Sequence, residues 1–408
     1  MRSATGRPLR LAAGLLLALV LGACSSSSKS TSVTKSSAAA DTSTQAPKGV
    51  FKVGVELTLS GPAGPVGQLI KQGIEVWLAN HKGATAAGAL VQVVYADDGG
   101  TSAGGASAAR QLAEEDKVNA VVGPFASDAA SASLPIFDKD AILDVPITAY
   151  APAHDPKQFP LSFPAQYSAS ESGTLTVKGV QAVHAHKPGL LVANTTLATQ
   201  LQGTIKAAAA KTDNNDVSVV DAEQYPTSPT DLTTQVQKLK AAGADSIILP
   251  SVAGGDYTVL FQAMNSIGWS VPVIGSSPAA DPRVLATIPP ALVKDLYVTQ
   301  VSAPVIKPVT PAVTQFAQQW QEVTGKPPVT NIATLGSGYD AVALVQWAFD
   351  GAGSTSATAA ADYMSRQSTF SGVVAAYSFT STFRGIPVDQ GGTAQASSYD
   401  AGVFDGVK

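Results

Sequence analysis

Short apolar runs and helical apolar stripes alternate along most of this chain, and that alternation limits its fold more than any single motif. Residues 51–57 (FKVGVEL) predict a strand. Val66, Leu69, Ile70, Ile74, Trp77 and Leu78 then recur at helical spacing, which predicts an amphipathic helix. Residues 90–96 (LVQVVYA) predict the next strand and 106–117 the next helix; strand, helix and strand follow at 118–122, 130–138 and 141–145. Apolar runs this short suit strands buried on both faces, as in a parallel sheet covered by helices.

The pattern then restarts. Strands are predicted at 189–193, 217–222, 246–249 and 271–274, with helices at 200–211, around Leu232, Val236 and Leu239, and at 258–267. Two consecutive arrays of this kind predict an α/β fold of two doubly wound parallel-sheet lobes. Between them, residues 151–167 hold Pro152, Pro156, Pro160 and Pro164, which argue against a helix and predict a crossover. After a strand at 297–301 come two long helices, 311–324 and 333–351, with no strand array behind them to build a third lobe. They are expected to return to the first lobe.

At the N-terminus, Arg2, Arg7 and Arg10 precede an apolar core at 11–21, and Leu21-Gly22-Ala23-Cys24 closes it. A basic start, a short apolar middle and small residues before a cut describe a secretory signal peptide. The run is shorter than the roughly 20 residues needed to span a bilayer, which disfavours a single-pass anchor. Cys24 is the only cysteine. Its position resembles a bacterial lipobox, which implies cleavage before Cys24 and lipidation there. Residues 25–46 are almost wholly Ser, Thr, Ala and Lys; such a segment buries too little apolar surface to fold and is expected to be a flexible tether. The expected location is outside the cytoplasmic membrane, anchored by lipidated Cys24.

Charge excludes one class of partner. Removing residues 1–23 takes three arginines and no acid, so 26 basic less three leaves 23 against 30 acidic, a net of −7. That is no footprint for nucleic acid. With Cys24 committed to lipid, no disulfide can form within one chain, and stability must come from the core. His184-Ala185-His186 would put two rings on one strand face, but without a third ligand nearby they are expected to be exposed loop histidines, so no metal site is expected. There is no nucleophile elbow and no phosphate loop. Asp97-Asp98 and Glu114-Glu115 are adjacent pairs and do not declare a glycosidase site. An enzyme is therefore not expected, and neither is a cofactor.

Several segments match one family in order: VGVELTLSGPAGPVGQLIKQGIEVW, VVYADDGGTSAGGASAARQLAEEDKVNAVVGPFAS, KLKAAGADSIILPSVAGGDYTVLFQAMNSIGW and GYDAVALVQWAF. Together these resemble the type I periplasmic solute-binding proteins, in particular the leucine/isoleucine/valine-binding branch. The resemblance implies two lobes joined by three crossovers, a ligand in the cleft between them, closure about a hinge, and delivery of a small solute to the permease of an ABC importer by a monomer. The expected organisation is a signal peptide at 1–23, a lipidated tether at 24–48, a first lobe at 49–166 and 302–377, and a second at 167–301 and 378–408. The same fold used as a ligand-free scaffold or regulator of a cell-envelope protein is the alternative; a secreted hydrolase is the weakest reading.

In open α/β sheets ligands sit beyond the carboxyl ends of the strands, where helix N-termini offer free N–H groups. That places Ser60, Ser127, Thr148 and Tyr150 in the first lobe, and Ala253, Gly254, Asp256 and Ser277 in the second, as candidate ligand contacts. By the resemblance, the loops of Ser127 and of Thr148 to Tyr150 would hold an α-carboxylate. The acid that such proteins place in the second lobe for an ammonium group has no match in Gly275-Ser276-Ser277-Pro278. Glu56 and Asp281 are the candidate ammonium partners; Asp144, like Glu56, is an acid late in a strand expected to be buried, where a carboxylate needs a partner.

Overall fold

The computed structural model describes residues 48–211, 216–300, 306–328 and 332–398. The expected signal peptide, Cys24 and the expected tether up to Pro47 lie outside them. The first lobe begins with β1 (Val50–Leu57), at the centre of its sheet and buried except at Val50 and Lys52. α1 (Gly64–Asn80) follows with Pro65 in its first turn, then the hairpin of β2 (Thr85–Ala86) and β3 (Ala89–Asp97). Thr101 caps α2 (Ser102–Arg110) by accepting the Gly104 N–H at 3.0 Å. β4 (Ala120–Val122), α3 (Ser127–Lys139) and β5 (Leu143–Val145) complete a sheet of order β2-β3-β1-β4-β5, parallel except for the hairpin.

The proline-rich stretch is irregular apart from a single 3-10 turn at Ala151–His154. α4 (Ala169–Ala182) then opens the second lobe; the sequence reading contains no helix here. Next come β6 (Pro188–Ala193), α5 (Thr196–Ala209), β7 (Asp221–Tyr225), α6 (Thr233–Ala241), β8 (Ser246–Leu249), α7 (Gly254–Ser266) and β9 (Val273–Ser276). Single-turn helices α8 (Pro282–Leu285) and α9 (Pro290–Val293) lead into β10 (Leu296–Gln300). β7 lies later than the predicted 217–222. The apolar run around Val217 enters the core before the strand begins, and β7 itself is a half-exposed edge strand.

The chain then returns to the first lobe. α10 (Pro311–Thr324), α11 (Ile332–Ala352) and α12 (Ala357–Gln367) precede a small antiparallel sheet of β11 (Thr369–Ser371), β12 (Ala376–Phe379) and β13 (Arg384–Gly385). Phe316, Leu335, Val345, Phe379 and Ile386 share one core with Phe51 and Val53 of β1. β14 (Gly392–Gln395) finally joins the second sheet antiparallel to β10, giving the order β14-β10-β9-β8-β6-β7. The last passage between lobes thus falls after Ile386, where the sequence reading places it at 377–378.

α1 and α11 touch backbone to backbone. A Cβ at Gly73 would lie 1.8 Å from the Leu335 carbonyl oxygen, and one at Gly338 would lie 2.1 Å from that of Ile70. Only glycine fits either position. This contact seats the start of α11, with Thr334 and Ser337, at the carboxyl end of the first sheet.

Candidate functional site

The loops leaving the carboxyl ends of both sheets line one cavity of about 450 Å³. From the first lobe it is walled by Thr58, by the loop after β3, by Phe125 to Asp128, and by Ile147 to Ala149; α11 adds Ala333, Thr334 and Ser337. From the second lobe come Asn194 and Thr195, Pro250 to Ala253, Asp256, and Ile274 to Pro278. Apolar side chains such as Val66, Ile70, Leu197, Leu201 and Ile248 fill the spaces between these polar groups. Ser277 Oγ and Thr334 Oγ1 meet at 3.2 Å, a hydrogen bond between lobes.

Two helix N-termini open on the cavity. α2, α4 and α5 are each capped by the side chain of their own Thr or Ser. α3 and α7 instead start after Ala126 and Ala253, which have no capping side chain, so their first N–H groups remain available. Beside the α3 terminus, Ser127 Oγ and Thr148 Oγ1 lie 3.2 Å apart. The Thr148 loop is held from behind by His154, whose Nε2 faces the Thr148 carbonyl at 3.0 Å and whose Nδ1 faces the Arg384 carbonyl at 2.7 Å. Burial pushes the His154 pKa down.

In the second lobe, the Tyr257 hydroxyl ties the ends of β8 and β9 together. It donates to the Leu249 carbonyl at 2.8 Å and accepts the Ser276 N–H at 2.9 Å, and burial pushes it up to about 12. Asp256 Oδ2 accepts from the Tyr225 hydroxyl at 2.9 Å and from Ser251 Oγ at 2.6 Å. Under the first-lobe wall, Asp98 Oδ1 accepts Thr58 Oγ1 at 2.6 Å and the Gly100 N–H at 2.7 Å; burial raises its pKa.

The fold brings together Ser127, Thr148, Ala253, Asp256 and Ser277 of the residues singled out in the sequence. It does not bring in the others. Ser60 is an exposed rim residue beside Gly99. Tyr150 packs against the cluster of Ala153 and Phe159. Gly254 faces α8, since a Cβ there would lie 2.5 Å from Val284. Asp281 caps α8 and pairs with the Arg283 guanidinium at 2.5 Å. Glu56 is fully buried behind the sheet, where Ser133 Oγ donates to Oε1. Burial, with Asp98 and Asp144 nearby, holds its pKa well above the ordinary value. Asp144 is buried likewise and does not line the cavity. His184 and His186 are exposed, and no group of metal-ligating side chains occurs among the described residues. Tyr225, Ser251, Tyr257 and Thr334 were missed. Each matters through a partner distant in sequence or a loop conformation, so no local pattern marks it.

A family model described as periplasmic binding protein matches residues 50–397. No curated protein matches at a significant level. Several solved structures are similar. A leucine-binding protein of Thermotoga maritima is 18% identical over 87% of this chain and 97% of its own, with a TM-score of 0.71. A solute-binding protein of an ABC transporter from R. palustris, in complex with 4-hydroxybenzoate, is 20% identical over 88% and 96%, with a TM-score of 0.74. A branched-chain amino acid transporter substrate-binding protein of Streptococcus pneumoniae, in complex with isoleucine, is 18% identical over 87% and 97%, with a TM-score of 0.71. At these identities the likeness is one of fold.

Proposed function

The chain belongs to the periplasmic binding protein family, a family of solute-binding proteins rather than enzymes, and on that premise we propose that it is a lipid-anchored receptor feeding an ABC importer. The observation that carries this reading is the single cavity lined by strand ends and uncapped helix N-termini from both lobes. A solute that touches both walls stabilises their approach by whatever it gains there and not in an open form. Ser127 and Thr148 would hold it on the first lobe, and Ala253, Asp256 and Ser277 on the second. Closure excludes water, which strengthens each polar contact, and gives the permease one surface to recognise. The similar structures holding isoleucine and 4-hydroxybenzoate support a small organic ligand. Cys24, outside the described residues, would carry the lipid that keeps the receptor at the membrane.

The first test is a thermal-shift screen of the chain from Lys48 onward, freed of carried-over ligand by unfolding and refolding. Amino acids, amides, polyamines, small organic acids and sugars form the panel. Selective binding to the folded state must raise its apparent stability, so a saturable rise with one class is expected. A silent panel would defeat the receptor reading and favour a ligand-free scaffold. Labelling with palmitate in a bacterial host tests the anchor: loss of label in Cys24→Ala is expected, and label that persists refutes it.

A further inference from the structure

A second recess lies on the first lobe, where α1, α11, α12 and β11 meet. It is separate from the cleft: Asp350 on its wall stands 16 residues along α11 from the cleft residue Thr334, or roughly 24 Å at the helical rise. We infer that this recess binds a pyranose sugar that carries no negative charge. Its composition is not that of an average surface. Five of its ten lining residues are Trp77, Tyr339, Trp347, Tyr363 and Phe370, in a chain that is 6% aromatic, where ten residues taken at random would supply fewer than one. Ring centroids of Trp347 and Tyr363 lie 5.1 Å apart, those of Trp347 and Phe370 5.3 Å, and His81 stacks on Trp77 at 4.6 Å. Gly351 lets Tyr363 lie against α11, since a Cβ there would run into the ring.

Helix packing accounts for the ring faces but not for the polar edges. Trp77 is 1% exposed, yet its indole N–H has no partner among the described residues and is not among the atoms sealed away from solvent, so it opens on the recess. A buried donor left this way costs stability unless a group from outside accepts it. The Trp347 indole N–H and the Tyr363 hydroxyl likewise make no hydrogen bond to a described residue. His81 Nδ1 faces the Trp77 carbonyl at 2.8 Å; a carbonyl only accepts, so Nδ1 carries the proton and Nε2 is left as an acceptor. Asp350 Oδ1 accepts the Ala87 N–H at 2.9 Å, which fixes a carboxylate on the wall. Among the described residues it is the one acid there, and no Lys or Arg lines the recess. Flat rings suit a partner with apolar C–H faces. Donors and acceptors side by side suit hydroxyl groups, which do both. An acid without a base disfavours an anion. A pyranose ring meets all three conditions. A quaternary ammonium suits the rings and Asp350 but offers the indole N–H groups no acceptor. A run of prolines also docks in aromatic grooves but offers His81 and Asp350 no donor.

The chain has four tryptophans, and none lines the cleft, so the indole N–H signals in a proton–nitrogen correlation spectrum report on this recess. The probes are cellotriose and mannotriose, which are neutral, trigalacturonate, choline and an octaproline peptide. A neutral trisaccharide is expected to move two indole signals saturably, those of Trp77 and Trp347, and to leave those of Trp269 and Trp320 in place. In Trp347→Ala its affinity should fall about 10- to 100-fold, the scale of one stacked ring and one hydrogen bond. No shift with either neutral trisaccharide would overturn the inference, as would undiminished affinity in a folded Trp347→Ala. Trigalacturonate binding as tightly as a neutral sugar would also overturn it. Choline or octaproline binding in place of the sugars would overturn it too, and make the recess a cation or a peptide site. Should Trp347→Ala fail to fold, the signals that move on the unaltered chain decide alone.

Discussion

One residue pair gives a sharp test of how the lobes are built. Gly338→Ala would place a methyl group 2.1 Å from the Ile70 carbonyl oxygen, across the contact of α1 with α11. No side chain can swing aside, since the obstacle is backbone, so two helices must separate by about 1 Å, given ordinary contact near 3.4 Å. Overpacking of this kind costs about 1–3 kcal/mol, and the upper end applies where backbone must move. The better helix propensity of alanine returns about 1 kcal/mol, leaving a net loss of about 2 kcal/mol. Gly203→Ala is the matched control. Gly203 lies inside α5 with nothing within 4 Å of its added Cβ, so the same substitution there should stabilise by up to about 1 kcal/mol. Differential scanning calorimetry should therefore show melting temperatures moving in opposite directions, Gly338→Ala down by a few degrees and Gly203→Ala slightly up. Equal shifts, or a Gly338→Ala protein as stable as the parent, would refute the close helix contact.

Three further outcomes follow from the same structure. Thr334→Val removes the hydroxyl that meets Ser277 across the lobes; losing about 1 kcal/mol from the closed form should enlarge the ligand-free radius of gyration in small-angle scattering, and an unchanged profile would sink the idea. Asp340→Ala strands three buried donors, the N–H groups of Val373 and Val374 and the Tyr377 hydroxyl, at 2.6 to 2.8 Å. A loss of about 3–5 kcal/mol is expected by chemical denaturation, and a loss under 1 kcal/mol would contradict this network. Burial holds the Asp144 carboxyl at about 8 against an ordinary 3.8. The folded chain then keeps a proton that the unfolded chain has lost, so its contribution is full below pH 3.8 and fades as pH rises toward 8. Asp144→Asn should flatten the stability slope between pH 5 and 7 by up to about 1.4 kcal/mol per pH unit; parallel slopes would show that Asp144 does not titrate there.

The elements most legible in the sequence are those buried on both faces. β1, β6 and β8 are near-continuous apolar runs because helices cover both sides of their sheets. α4 is missed because Ser170, Gly173, Thr174 and Gly179 dilute its stripe. A capping signal was nonetheless present: Ser168 and Glu171 stand three apart, and Ser168 Oγ accepts the Glu171 N–H. α12 and the three short strands after it escaped notice because each is brief and partly polar. At the site, position along a strand was readable and orientation was not. Ser127 and Thr148 follow directly from strand ends, whereas Tyr150 turns toward Phe159 and Gly254 toward Val284. Asp256 was readable as a strand-end contact, but the hold of Tyr225, 31 residues earlier, on one of its oxygens was not.

β1 enters its lobe at Val50 and reaches the cavity side at Leu57, seven residues later, or roughly 23 Å at the usual strand rise. Attachment at Lys48 is therefore remote from the mouth of the cleft. A biotin or resin coupled there would leave solute access free on a sensor chip, and dyes flanking Ser277 and Thr334 would turn lobe approach into an optical readout of solute concentration.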